Sequence, residues 1–464
     1  MSSFLDKAHT IAPPGYNRFL VPPAALAVHL AIGQAYAIST FNLPMTKLLG
    51  VSPSIETKAT LFGTTTEDWT LLQVGLLFQV AIAFLGISAA VLGHWVEDGG
   101  PRRAMFTAAL CFGGGFMVTA LGVTLHQLWL VVAGYGVLGG CGLGLGYISP
   151  VSTLIKWFPD RPGMATGMAI MGFGGGALIA SPLSVQLMAF FKDTTPQGVA
   201  ATMVVMGALY FVYMMIGAFT VKIPAPGWKP EGWTPPVVPQ KRITSAHVDV
   251  NQAMQTPQFY LIWGVLCLNV TAGIGVLSQA SPMIQEMFPG RVTAVTAGGF
   301  VGLLSLFNMV GRFFWASTSD YIGRRYTYMI FFALGTVLYA LVPTTGQMGS
   351  ITLFVLGFGI ILSMYGGGFA TIPAYLRDMF GTMHVGAIHG RLLTAWSVAG
   401  VAGPFLVNYI RQYQIDHGVA KADAYTVTMY IMAGLLVVGF VCNYFINEVH
   451  VRHHFRGHAS SVAE

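Results

Sequence analysis

The chain has 464 residues, of which 54% are hydrophobic and 9% are charged, and its mean hydropathy is +0.65. A soluble domain carries about 25% charged residues, so this composition excludes a soluble fold and indicates a protein that crosses a membrane many times. The formal net charge is +6 at pH 7, and the placement of the basic residues attributes it to membrane topology rather than to nucleic-acid binding.

Twelve apolar runs follow one another along the chain, each close to the length of about 20 residues that a helix needs to cross a bilayer. The runs lie at about 19–43, 71–95, 104–125, 128–152, 164–190, 201–221, 259–280, 294–317, 326–346, 351–374, 386–410 and 426–446. They lack the alternating pattern of a membrane β-barrel, so we predict an all-α protein with twelve transmembrane helices in two six-helix bundles. The first run has the length of a full span and no signal-peptide cleavage pattern, and we interpret it as the first transmembrane helix.

Lysine and arginine accumulate in the cytoplasmic loops of membrane proteins, and their positions predict the orientation of the chain. With both termini in the cytoplasm, six of the 23 basic residues fall outside: Lys47, Lys58, Lys192, Arg291, Arg411 and Lys421. Arg312 lies inside a span, and the remaining sixteen are cytoplasmic. We therefore predict a multi-pass protein of the bacterial inner membrane with cytoplasmic termini, and we expect it to function as a monomer.

An internal repeat divides the chain into two halves. Equivalent residues in the loops after spans two and eight, and near the ends of spans four and ten, are 223 positions apart: Glu97 and Asp320, Gly100 and Gly323, Arg102 and Arg325, and Pro150 and Pro373. The segment between the halves is rich in proline and polar residues. We predict an N-terminal bundle over residues 1–221, a cytoplasmic linker over 222–258, and a C-terminal bundle with a short tail over 259–464.

Arg312 is the one formally charged residue well inside an apolar run, and no acidic residue accompanies it there. It precedes Asp320 by eight positions, which places it about 12 Å in from the loop if the segment is helical. An unpaired guanidinium costs about 2.5–3.5 kcal/mol at the centre of a bilayer on insertion scales, so such residues face a water-filled or ligand-filled interior. The alternative is that Arg312 extends its side chain to the lipid headgroups.

Two parallel repeats joined by a cytoplasmic linker are the arrangement of the major facilitator superfamily, which the chain resembles along its whole length. The phrases GYISPVSTLIKWFPDRPGMATG (residues 146–167) and GRLLTAWSVAG (390–400) are similar to those of the oxalate/formate antiporter family of small-carboxylate carriers. The resemblance implies a secondary transporter that works by alternating access and binds a small organic anion between its halves. It implies no cofactor.

The family's binding residues can be transferred to this chain position by position. The resemblance implies substrate contacts from Asn308 and Arg312 on span eight and from the amide of Gln79 on span two. It also implies a cage of aromatic rings, for which the candidates are Tyr36, Tyr147, Phe173, Tyr365 and Phe369. Aromatic residues in spans also serve as packing or interface anchors, and Gln79 can simply bond a neighbouring helix.

The chain departs from the family pattern on span eleven, where Trp396 stands at the position of an expected lysine and is a further candidate for substrate binding. One cation with aromatic walls suits a monoanion better than a dianion, so we expect a monocarboxylate such as formate, lactate or pyruvate, with oxalate as an alternative. Arg391 lies about 140° around the helix from Trp396, and His389 lies about 10 Å nearer the cytoplasm. We expect these two residues to act, if at all, at the cytoplasmic entrance.

The mode of coupling depends on titratable groups, and the spans contain no aspartate or glutamate. Anion exchange is therefore favoured. Proton symport is the alternative, with His29 as the coupling candidate because it shares a face of span one with Tyr36. A histidine that only bonds a neighbouring helix is the structural interpretation of the same residue.

The repeated loops also suggest a conformational latch, in which an acid at one helix end and basic residues across a short loop hold neighbouring helices in one state. The latch candidates are Glu97, Arg102, Asp320 and Arg324, and a solvated loop that follows the positive-inside rule explains the arginines equally well.

Other classes of protein fit less well. A membrane sensor that reports an anion would need a large cytoplasmic output segment, and the linker and tail are short. An enzyme would need a catalytic cluster or a nucleotide loop, which the spans lack. The cysteine spacing predicts no metal site, and the tail histidines His450, His453, His454 and His458 fit a solvated tail near anionic lipid. We expect no nucleic-acid partner and no cofactor.

Overall fold

A computed structural model describes residues 4–234 and 246–454 of the protein. Within these residues, twelve helices are long and apolar enough to cross a membrane, and we number them α1 to α12 in chain order. Their bounds are Arg18–Met45, Leu71–Gly99, Pro101–Thr124, Leu128–Trp157, Pro162–Phe190, Pro196–Thr220, Pro257–Met287, Thr296–Ile322, Arg324–Gln347, Ile351–Phe380, Val385–Asp416 and Thr426–Tyr444. The prediction of an all-α protein with twelve transmembrane helices is confirmed.

Several helices extend beyond the apolar run that predicted them. Helix α4 continues to Trp157, α8 to Ile322 and α10 to Phe380, each about one and a half turns past the predicted end. These additional turns carry polar side chains, among them Lys156 and Asp320, so hydropathy cannot detect them although the backbone remains helical. They place charged groups at the side of the molecule that carries both termini.

Helices α1 and α11 are among those that change geometry in the middle of the membrane-spanning region. Helix α1 is α-helical over Val21–Ile32 and continues as a 3₁₀-helix over Gly33–Phe41. Helix α11 consists of the segments Val385–Leu392 and Thr394–Asp416, which meet at Leu393. Such interruptions often mark functional positions in helices, and here they lie next to two residues of the site described below.

The two halves meet along two pairs of helices. Helix α2 packs against α11, and α5 packs against α8. Each helix of the first half corresponds to the helix six places later, so α2 corresponds to α8 and α5 to α11. The internal repeat therefore relates one pair to the other. The pseudo-symmetric arrangement predicted from the 223-residue offset is therefore present in the packing of the helices.

Backbone conformation also follows the repeat. Gly100 joins α2 to α3 with φ +83°, and Gly323 joins α8 to α9 with φ +88°. With ψ angles of 169° and 148°, both residues lie close to a region that essentially only glycine occupies. The matching glycines thus make the same sharp turn in the two halves.

The predicted linker is only partly within the described residues. Ile223 at its start pairs with the N-terminal segment, since its amide donates to the Thr10 carbonyl at 2.9 Å and its carbonyl accepts from the Ala12 amide at 2.9 Å. Val248 near its end donates to the Phe380 carbonyl at 2.9 Å. Residues 235–245 lie outside the described part of the chain, and the domain bounds stay a prediction.

Replacing Gly323 with alanine tests the turn between α8 and α9. We expect Gly323→Ala to lower stability by about 1–3 kcal/mol, because a Cβ disfavours this backbone conformation. Steric contact contributes little, since the nearest atom to an added Cβ is Tyr326 Cδ2 at 3.9 Å. The measurement is thermal unfolding in detergent, with Gly357→Ala as the control, because Gly357 lies within a helix and its Cβ would meet nothing within 4 Å. An unchanged midpoint for Gly323→Ala would contradict the strained turn.

Candidate functional site

Arg312 is fully buried on α8, with 0% of its surface exposed. Its Nε donates to Asn308 Oδ1 at 3.0 Å, and its Nη1 donates to the Ile170 carbonyl at 3.3 Å. Because Ile170 lies on α5, this guanidinium touches both halves of the protein. Nη2 has no hydrogen-bond partner within the described residues.

Within the described residues, 4–234 and 246–454, none of the ion pairs includes Arg312. Removing an unpaired charge from water is strongly unfavourable, and a buried charge normally has a partner of opposite sign. Asn308, one turn earlier on the same helix face, offers only a neutral oxygen. The burial argues against extension of Arg312 to the lipid headgroups, and the free Nη2 can donate to an anion.

Two phenylalanine rings, one from each half, flank the guanidinium. The Arg312 Cζ atom lies 5.5 Å from the ring centre of Phe173 on α5 and 5.3 Å from that of Phe369 on α10. These distances are within the range of cation–π attraction. The approach of α5 to α8 requires a small residue at Gly174, where an added Cβ would lie 3.0 Å from Arg312 Nε.

Trp396 and Tyr147 extend this group of rings. The Trp396 ring lies 4.5 Å from Phe369, 5.3 Å from Phe173 and 5.5 Å from Tyr147. All four rings are buried. Trp396 therefore bridges the two halves at the position where a lysine was expected.

Two further tyrosines complete the group. Tyr36 packs edge-on against Phe173 at 5.1 Å, Tyr365 packs against Phe369 at 5.3 Å, and the two tyrosine hydroxyls lie 3.2 Å apart. We refer to the six rings as the aromatic cluster: Tyr36, Tyr147 and Phe173 from the first half, and Tyr365, Phe369 and Trp396 from the second. The structure thus brings together eight of the nine predicted substrate-binding residues, including Arg312 and Asn308.

Gln79 is the ninth predicted residue. It lies on α2 and is half-buried. In the described part of the chain, no hydrogen bond joins its amide to Arg312 or to a residue of the aromatic cluster. The structure does not link Gln79 to the other predicted residues.

Two histidines, one from each half, contact Tyr147. The ring of His29 on α1 lies 5.4 Å from it, and the ring of His389 on α11 lies 5.7 Å from it. His29 Nδ1 is 3.2 Å from the Ala25 carbonyl of its own helix, while Nε2 has no partner among the described residues. His389, expected at an entrance, is instead buried against the aromatic cluster.

The acids of the repeated loops bind helix N-termini of the opposite half. Glu97 Oε1 accepts from the Gly386 amide at 2.9 Å, at the start of α11. Asp320 accepts at 2.8 Å from both the Gly163 and Met164 amides, at the start of α5. Amides in the first turn of a helix lack intrahelical partners and carry partial positive charge, so a carboxylate is favoured there. We call these two contacts the latch.

The basic partners of the latch differ from those predicted. Lys156 pairs with Glu97 Oε2 at 2.6 Å, whereas Arg102 donates to the Phe4 carbonyl at 3.1 Å and lies outside the latch. The prediction placed Arg102 with Glu97 because the two are close in sequence, but α3 directs the arginine to the N-terminal segment. Arg324 does pair with Asp320, at 2.6 Å, and also with Asp378 at 3.0 Å.

Two more hydrogen bonds join the halves on the latch side. Arg377 Nη2 donates to the Pro159 carbonyl at 3.1 Å, and Thr166 Oγ1 donates to the Ala370 carbonyl at 2.7 Å. The sequence did not identify Lys156, Asp378 or Arg377 as partners in these contacts. The only indication in the sequence was their position at the polar ends of helices. The halves are therefore held together on the side that carries both termini.

The tail histidines are partly within the described residues, since His458 lies outside them. Among residues 4–234 and 246–454, no group of three or more His, Cys, Asp or Glu side chains is arranged to hold a metal ion. The expectation of a solvated tail is wrong for His453, which is buried and whose Nδ1 lies 3.2 Å from Gln252 Oε1, whereas His450 is exposed.

Comparisons with known proteins match the architecture. The model of the Major Facilitator Superfamily matches residues 24–404 and 292–463. The chain is 27% identical to the oxalate:formate antiporter of Oxalobacter formigenes over 84% of each protein, and 23% identical to apicoplast pyruvate carrier 1 of Toxoplasma gondii over 68% of this chain and 65% of that carrier. The crystal structure of FucP in the outward conformation superposes with a TM-score of 0.64 at 12% identity, covering 93% of this chain and 100% of FucP. The resemblance predicted from sequence motifs is confirmed.

Substitutions in the latch should separate Lys156 from Arg102. We expect Glu97→Gln and Asp320→Asn to shift the protein toward states in which the halves separate on the latch side, because charge-assisted hydrogen bonds contribute about 1.5–3 kcal/mol each. Lys156→Met should act in the same direction as Glu97→Gln, and Arg102→Met should not. Pulsed electron–electron double resonance measures the distance between the halves on the latch side. The spin labels are attached to cysteines introduced at the exposed positions Arg103 and Tyr326, in a background without other cysteines. A change with Arg102→Met as large as that with Lys156→Met would contradict this assignment.

Proposed function

Because the chain belongs to the Major Facilitator Superfamily, and is therefore a membrane transporter rather than an enzyme, we propose that it carries a small monocarboxylate bound by Arg312. The observation that carries this proposal is the buried guanidinium with a free Nη2 and no acidic partner among the described residues. A carboxylate is the natural counter-ion of such a group, since the planar guanidinium can donate two parallel hydrogen bonds to it.

The surroundings of Arg312 favour a small anion. Phe173 and Phe369 flank the guanidinium, and Asn308 holds its Nε at 3.0 Å. The contacts between the rings of the aromatic cluster, at 4.5–5.6 Å, mean that an occupant must displace side chains to enter. A carboxylate with a short apolar part fits this enclosure better than a large substrate.

The charge of the site favours a monoanion over oxalate. Arg312 is the only cation that contacts the aromatic cluster in the described part of the chain, and Trp396 occupies the position of the expected lysine. A second carboxylate placed among these rings would lose its hydration without gaining a cation, which is unfavourable. The relatives named an oxalate:formate antiporter and a pyruvate carrier support carboxylates as the class.

Alternating access follows from the way the two halves share the site. The aromatic cluster takes three rings from each half, and the latch joins the halves on one side only. Binding an anion neutralises Arg312 and lowers the cost of enclosing it between the halves. An empty carrier would resist that step, so we propose obligatory exchange of anions.

Proton-coupled symport is a second candidate, favoured by the two histidines that contact Tyr147. His29 and His389 are both buried, and His29 Nε2 has no partner in the described chain. A proton that enters with the substrate could reside on such a group.

We also propose an orientation of the protein in the membrane. Phe4 near the N-terminus bonds Arg102, and Glu448 near the C-terminus bonds Gln258, so both termini lie on the latch side. The excess of basic residues in the loops of that side favours the cytoplasm of a bacterial inner membrane. A monomer is sufficient, because one chain supplies both halves of the site.

Substitution of Arg312 tests the binding role directly. We expect Arg312→Gln to reduce uptake of labelled pyruvate, lactate or formate into proteoliposomes by about 100-fold, since hydrogen bonds to a charged group contribute about 1.5–3 kcal/mol each. Arg312→Lys should recover part of the uptake, because it keeps the charge and loses the planar fork. The exposed Arg291→Gln is the control and should leave uptake unchanged. Uptake and affinity that survive Arg312→Gln would refute the proposal.

The choice between exchange and symport depends on what drives uptake. We expect labelled monocarboxylate to enter vesicles preloaded with unlabelled substrate and to enter empty vesicles slowly, with or without an inward proton gradient. His29→Asn should leave exchange intact. Uptake into empty vesicles that a proton gradient stimulates, and that His29→Asn abolishes, would instead establish symport.

A further inference from the structure

We propose that the site has a second, neutral subsite, formed by Trp396 Nε1 and Tyr147 Oη, that binds an oxygen on the carbon next to the carboxylate. The substrates it selects are 2-oxo and 2-hydroxy monocarboxylates. This inference rests on the proposed function, because Arg312 must first hold the carboxylate group.

The observation is a set of buried polar atoms in the aromatic cluster that have no partner within the described residues. Trp396 Nε1, Tyr147 Oη and Arg312 Nη2 all belong to this set, and all three residues have 0% of their surface exposed. Buried indole and phenol groups normally have a hydrogen-bond partner. Three such groups around one cluster therefore point to a ligand that supplies several oxygens.

The three groups share Phe173 as a neighbour. The Arg312 Cζ atom and the Trp396 ring lie 5.3 Å and 4.5 Å from the centre of the Phe369 ring, so guanidinium and indole flank one side chain. Both also contact Phe173. Tyr147 contacts the rings of Trp396 and Phe173, at 5.5 Å and 5.6 Å. The three residues are therefore neighbours within one cluster, and we place one small molecule among their polar groups.

The chemistry of the donors defines the substrate. A simple carboxylate such as propionate can bond Arg312 and Asn308 but leaves the indole and the phenol unpaired. A 2-oxo acid adds a carbonyl oxygen that accepts from both groups, and a 2-hydroxy acid adds a hydroxyl that accepts from the indole N–H and donates to the phenol oxygen. Because indole and phenol are neutral, they match a neutral oxygen and do not replace the cation that a second carboxylate needs.

Packing alone does not require these two residues. Phenylalanine would supply a ring at either position without a buried polar atom, and the cluster already uses phenylalanine at positions 173 and 369. Trp315 provides a contrast, since its Nε1 donates to Ser363 Oγ at 3.1 Å and is satisfied within the protein.

The test compares pyruvate, lactate and propionate as inhibitors of labelled pyruvate uptake into proteoliposomes, because propionate has the same carbon chain without the third oxygen. In the wild type, we expect pyruvate and lactate to inhibit at concentrations at least about tenfold lower than propionate. Trp396→Phe and Tyr147→Phe should each reduce that preference several-fold, because pyruvate and lactate lose more affinity than propionate does. Trp315→Phe is the control and should keep the full preference.

The ratio of two inhibition constants within one variant does not depend on how much protein reaches the membrane, and two independent variants report on the same subsite. An equal affinity of the wild type for propionate and pyruvate, or an equal loss for all three acids in both variants, would overturn this inference and leave the proposed function standing. Failure of the wild type to take up any monocarboxylate would overturn both.

Discussion

An unpaired cation buried between the two halves of the molecule is the constraint on which the rest of the structure depends. Arg312 cannot reach water, and no acidic side chain of the described residues pairs with it. What stabilises it within the protein is modest: the Asn308 oxygen, the Ile170 carbonyl and the faces of two phenylalanine rings. These contacts orient the guanidinium without neutralising it, so a mobile anion remains the partner that would contribute most.

The site and the latch lie on the same helices. Helix α8 carries both Arg312 and Asp320, and α5 carries Phe173 together with the amides that Asp320 caps. Helix α11 carries Trp396 as well as the amide that Glu97 caps. Because α5 and α8 are uninterrupted between their latch and site residues, a change in separation at the site is transmitted to the latch, and the reverse also holds. This mechanical link gives a physical basis for alternating access without a separate signalling element.

Much of the fold and part of the site could be predicted from the sequence. Twelve spans follow from hydropathy, and the pairing of Asn308 with Arg312 follows from a spacing of one helical turn. The proximity of His389 to the cluster could not be predicted from helical rise, because the ring of Tyr147 on α4 contacts both His389 and Trp396. Lys156 was missed as the partner of Glu97 because the two lie 59 positions apart, whereas Arg102 was close in sequence and directed elsewhere.

The most direct test of the role of Arg312 is an experimental structure with a bound monocarboxylate such as pyruvate. We expect the carboxylate to lie within hydrogen-bond distance of Arg312, between the rings of Phe173 and Phe369, with the aromatic cluster opened by the volume of the ligand. A carboxylate bound elsewhere, with Arg312 still bonded only to Asn308 and Ile170, would contradict this role.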